Sequence, residues 1–113
     1  MLRASATASG TEVDLKAIAG GVAGDGGVPH GRLLAGFAEA VLGEDEARLA
    51  GVRERLRGSL GDAALVDAAA VVANYSALDR VADATGIPLE AAKEAATAGL
   101  RAELGIDDFA SPR

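Results

Sequence analysis

Asp62-Ala-Ala-Leu-Val-Asp-Ala-Ala-Ala-Val-Val-Ala-Asn-Tyr-Ser-Ala-Leu-Asp-Arg-Val-Ala-Asp-Ala-Thr-Gly86 is the stretch whose reading decides the fold. It reads as one helix, opened by Asp62 as N-cap and closed by Gly86. Val66, Ala70, Ala73, Ala77 and Val81 form one row along it. Leu65, Ala69 and Val72 form an adjoining row, and Val71, Tyr75, Leu78 and Ala82 a third. Only Asn74, Asp79, Arg80 and Asp83 interrupt its second half. A helix apolar on most sides belongs at the centre of a structure. The alanines of the first row let a neighbouring helix come close.

Working outward, the segments on either side are also helical. Before it, Asp45 to Leu60 carries a narrow apolar stripe of Leu49, Val52, Leu56 and Leu60. Glu44, Asp45 and Glu46 gather at its start, while Arg53, Arg55 and Arg57 crowd its end, as a helix dipole favours. Gly61 stops it. Earlier still, His30 to Leu42 places Leu34, Phe37, Ala38 and Val41 on one face, and Gly43 ends it. After the central stretch, Pro88 opens a fifth helix at a preferred first position. Leu89, Ala92, Ala96 and Leu100 mark its inner face, and Gly105 ends it.

The N-terminal part is less regular. Residues 1–10 are small and polar and read as disordered. Thr11 as N-cap, with Asp14 in the first turn, predicts a short first helix carrying Val13, Leu15, Ile18 and Val22. Residues 20–31 form a glycine-rich connector, in which any fixed shape costs much chain entropy. A single helical domain over 11–106 follows, with a tail over 107–113; Ile106 and Phe109, at their junction, are expected to fold back. No segment alternates like a strand. The expected class is all-α, a small bundle of about five helices with the fourth, long helix central, and with short links at Gly61 and Gly86-Ile87.

Composition narrows the function. The 113 residues are 50% hydrophobic but only 3% aromatic, so the core is built of Ala, Val and Leu. Small side chains bury little area each, at about 25 cal/mol per Å², which favours burial against a second copy. A homo-oligomer is expected, with a dimer favoured. The net charge of −6 and the lack of a basic, aromatic-rich stripe argue against nucleic acid. No run of about 18 apolar residues is free of charge, so no membrane span is expected. The N-terminus lacks the apolar core of a signal peptide. With no cysteine, the chain has no disulfide, thiolate nucleophile or Cys metal site, and the cytoplasm is the expected compartment. One histidine cannot form a His cluster, and no metal or cofactor is expected.

The run Gly61 to Pro88, with Asn74, Arg80, Asp83 and Gly86 at characteristic places, resembles the C-terminal half of the alkylhydroperoxidase D-like, or carboxymuconolactone decarboxylase-like, superfamily. The resemblance covers roughly residues 30–90 and implies paired helices before the long one. Peroxidase members of that superfamily use a Cys-x-x-Cys pair with a Glu and His relay. This chain has no cysteine, so thiol peroxidase chemistry is not implied.

Six residues remain as candidates for chemistry. Arg80 and Asp83 share a helix face and fit either an anion or proton-relay pair or a plain salt bridge. Asn74 and Tyr75 fit ligand contacts, or a hydrogen bond and a packed ring. Asp67 lies on Asn74's face and shares its two readings. His30 fits a general base, or an exposed residue at a helix entry. Three functions follow: a non-enzymatic assembly or partner-binding protein; a cysteine-free lyase or isomerase using His30 or Arg80/Asp83; or a subunit lending half a site to a cysteine-bearing partner. No nucleophile triad, phosphate loop or calcium loop is present in the sequence.

Overall fold

Asp45 has extended backbone, and its carboxylate accepts the Arg48 N–H at 2.9 Å. That bond satisfies one of the donors every helix start leaves open. Such local signals set most boundaries in this computed structural model, which describes residues 8–10, 12–16 and 24–109. The described residues are all-helical, with no strand. Helix α1 spans Gly31–Leu42, α2 spans Glu46–Thr85 and α3 spans Ala91–Leu104, and a 3-10 turn follows over Ile106–Phe109. Among the described residues three α-helices stand: the expected third and fourth helices are joined in α2, and the expected first helix falls mostly outside the described residues.

Gly61 breaks α2 at φ 86°, ψ 172°. Only glycine adopts that backbone readily. The sequence boundary between the third and fourth helices therefore exists, as a kink rather than a loop. Arg57 braces it, donating from Nε to Asp62 at 2.7 Å and pairing with Glu54 at 3.2 Å. Gly86 and Gly105 close α2 and α3 with left-handed backbone.

The core sits between α1 and the first half of α2. Phe37, Ala40, Val52 and Leu56 are buried, with Leu33, Leu34, Leu49, Leu60, Leu65 and Ala68 packed around them. On the inner face of α1, Leu34 and Phe37 stand as expected, Leu33 and Ala40 join them, and Val41 is exposed. Arg48 adds an ion pair to Glu39 across the α1–α2 junction at 2.6 Å.

The second half of α2 does not lie at the centre of this core, contrary to the sequence expectation. Leu65 and Ala68 touch the core, but Val66, Val71, Tyr75, Leu78 and Val81 are exposed. Helix α3 has no buried residue. The cause is the shortage of partners: α1 covers one side of α2, and among the described residues α3 chiefly packs on the turn that follows it. Arg101 holds that turn by donating to Asp107 at 3.1 Å and to Thr97 at 3.0 Å.

Three smaller corrections have local causes. Helix α3 begins at Ala91 rather than Pro88, with Glu90 at the cap position, and 87–90 carry no regular structure. Proline disfavours helical backbone at the residue before it. Near the N-terminus, 12–14 are not helical, and the Asp14 side chain accepts the Lys16 N–H at 2.9 Å, the bond of a cap rather than of a first-turn acid. In the tail, Ile106 is exposed while its backbone joins the 3-10 turn. The expectations for 1–7, Thr11, Ile18, 20–23, the Phe109 side chain and 110–113 lie outside what the structure describes.

Candidate functional site

The entry to α1 brings Asp25, His30, Arg32 and Arg55 together. Within the glycine-rich segment, residues 24–30 form defined turns. Val28 donates to the Asp25 carbonyl, Gly31 donates to that of Val28, and Asp14 donates to that of Gly26, each at 2.9 Å. Gly27, at φ 77°, lies so close to the Glu12 carbonyl that a Cβ would collide with it. The Asp25 carboxylate reaches forward to accept the Arg32 N–H at 2.9 Å, which makes it the capping group of α1.

His30 occupies the cap position itself but makes no capping bond. Its backbone is left-handed, at φ 58°, ψ 18°, the only non-glycine residue so placed among those described. That conformation is uncommon outside glycine. The ring is exposed beside a shallow depression of about 360 Å³, lined by Asp25, His30, Arg32, Leu33 and Arg55. The chemistry there is that of a solvated, mixed-charge surface.

Tyr75 lies elsewhere. It lines a shallow groove with Ala38 and Leu42 of α1 and Val71, Val72, Ser76 and Asp79 of α2. Apart from Asp79 and two hydroxyls, that lining is apolar. Neither depression includes Asn74, Arg80 or Asp83. All three are exposed on the second half of α2. No ion pair joins Arg80 to Asp83, and Asp67 and Asn74 show no side-chain hydrogen bond. The six candidates are therefore spread over separate surfaces. Exposure leaves Asp67 and Asn74 to water, so neither carries the penalty of an unsatisfied buried group.

Asp25, Arg32 and Arg55 are the residues that sequence reading missed. Asp25 acts seven positions ahead of its partner, outside the usual cap spacing. Arg55 was assigned only to the helix dipole. No group of three His, Cys, Asp or Glu residues able to hold a metal occurs among the described residues. No helix among them is long and apolar enough to cross a membrane.

Compared with protein-family models, curated proteins and solved structures, the chain matches none.

Proposed function

We propose that the protein works by association: a cysteine-free, alkylhydroperoxidase-like helical protein that acts through self-assembly or by binding a protein partner. The observation that carries this reading is the second half of α2. Its Val66, Val71, Tyr75, Leu78 and Val81 are all more than half exposed, on a helix whose apolar rows call for cover. In an assembled form this segment becomes the central helix of a larger bundle. The family resemblance supports the reading through its Asn74, Arg80, Asp83 and Gly86 pattern, and the missing thiols remove the chemistry of the peroxidase members. A cysteine-free chain also needs no oxidising compartment, and the cytoplasm is the proposed setting.

Incubating purified protein with a hydroperoxide and a dithiol donor tests the claim of lost redox chemistry. No turnover is expected. Clear turnover contradicts the reading.

One observation favours a second reading, a lyase or isomerase. His30 is held in left-handed backbone beside Arg32 and Arg55, and unusual backbone collects at functional sites. On that reading His30 is the base and the arginines hold an anionic substrate. Titration of His30 by NMR against small carboxylates separates the two, since the association reading expects no change in its resonances.

A further inference from the structure

Three parts of the chain meet at the depression beside His30: the turns before α1, α1 itself through Arg32 and Leu33, and the first half of α2 through Arg55. The chain has 17 acidic against 11 basic side chains, so an arginine has ample choice of partner. Arg48, Arg57 and Arg101 each pair with a carboxylate. The side chains of Arg32 and Arg55 take no ion pair or hydrogen bond among the described residues. Two unpaired guanidinium groups and the chain's single histidine thus line one depression.

The frame around them is fixed. A Cβ on Gly31 would strike the Asp25 carbonyl, as one on Gly27 would strike that of Glu12. The backbone donors at the start of α1 are already used: the Gly31 N–H goes to the Val28 carbonyl and the Arg32 N–H to the Asp25 carboxylate, both at 2.9 Å. A ligand here is therefore held by side chains and not by the helix end. Asp25 is committed to its cap, and its charge offsets one of the two arginines.

We propose that this depression binds the phosphoryl group of a small phosphate monoester, with Arg32 and Arg55 as its main ligands and His30 as a further donor. Each arginine offers five N–H donors in a planar fork. A carboxylate fills one such fork, whereas a phosphoryl group brings nearly two negative charges and three strong acceptor oxygens and can take two. The imidazole supplies a ring N–H in either protonation state. Leu33 is the apolar part of the lining, against which the carbon part of the ester lies. A volume of about 360 Å³ suits a small molecule. The net charge of −6 disfavours a nucleic acid or an anionic bilayer as the source of the phosphate. This goes beyond the association reading and holds whether or not copies of the chain assemble, and it needs no catalysis by His30.

The full-length chain is titrated with glycerol 3-phosphate at low ionic strength, followed by NMR of the His30 ring and the arginine Nε–H groups. The His30, Arg32 and Arg55 signals should shift together and saturate, with a Kd of about 1 mM. Arg32→Gln and Arg55→Gln should each weaken binding about 10-fold. Both side chains are exposed, and the cap bond at Arg32 is made by its backbone, so the fold should be kept. Arg53→Gln, which removes an exposed arginine outside the depression, should change Kd less than about 2-fold. Asp25→Asn keeps an acceptor for the Arg32 N–H and removes a negative charge, so binding should tighten about 3-fold or more. The absence of a saturable shift, or an equal loss with Arg53→Gln, overturns the site. Unchanged or weaker binding by Asp25→Asn overturns the placing of the anion beside that carboxylate. Acetate binding as tightly as the ester overturns the phosphoryl assignment and is the result the lyase reading expects. Co-sedimentation with vesicles of phosphatidic acid and phosphatidylcholine overturns the small-molecule assignment. Failure of both the ester and acetate removes this site and the lyase reading together and leaves association untouched.

Discussion

The two halves of α2 meet at Gly61 and differ in the opposite sense from their composition. Residues 46–60 carry charge on six of their fifteen positions, yet Val52 and Leu56 are buried. Residues 62–85 are far more apolar, yet Val66, Val71, Tyr75, Leu78 and Val81 face water. Burial follows the supply of a complementary face, and α1 supplies one for the first half and only the beginning of the second. A narrow stripe fits one neighbour. A helix apolar on several sides needs more neighbours than this chain brings to it.

Truncating one leucine in each half sharpens this contrast most. Leu56 is 0% exposed, and Leu56→Ala should cost about 2–5 kcal/mol in urea unfolding. Leu78→Ala, measured at a dilution where single chains prevail, should cost no more than about 0.5 kcal/mol. Equal losses in dilute solution would erase the distinction.

Gly61 separates the halves, and its backbone explains why. Nothing lies within 4 Å of a Cβ built there, so Gly61→Ala reads the positive φ alone. A loss of about 1–3 kcal/mol in thermal unfolding is expected. A gain in stability would mean that α2 runs straight and that the kink is not a real divider.

Asp45→Ala should cost about 1 kcal/mol through the lost Arg48 N–H bond, read by chemical denaturation. The same substitution at Asp83, which has no bond to lose among the described residues, should be close to neutral. A small effect also belongs to the Arg48–Glu39 pair. Both side chains are about half exposed, and solvent screening holds their double-mutant coupling to about 0.2–1 kcal/mol. Arg80→Ala should change single-chain stability by less than about 0.5 kcal/mol.

Local chemistry was legible in the sequence. Asp45 as a cap and Gly43, Gly61, Gly86 and Gly105 as stops all mark real boundaries, because each acts within one turn of its own position. What acts at a distance was not legible. Asp25 caps a helix from seven residues away, and the tight approach of Gly27 to Glu12 depends on a chain crossing that no periodicity reveals. Pro88 was a reasonable helix opener, but it lies three residues before the helix begins. The apolar rows of 62–85 announced a need for cover without saying what provides it. The candidate residues failed as a cluster for the same reason: sequence spacing placed Arg80 near Asp83, but it could not say that His30 and Tyr75 lie in separate depressions.

Amide hydrogen exchange, followed segment by segment at low and high protein concentration, tests the central contrast most directly. Residues 31–60 should keep the same protection at both concentrations. Residues 71–85 should exchange quickly when dilute and become protected when concentrated. Protection of 71–85 that is already complete in dilute solution, or that never rises with concentration, would contradict the account.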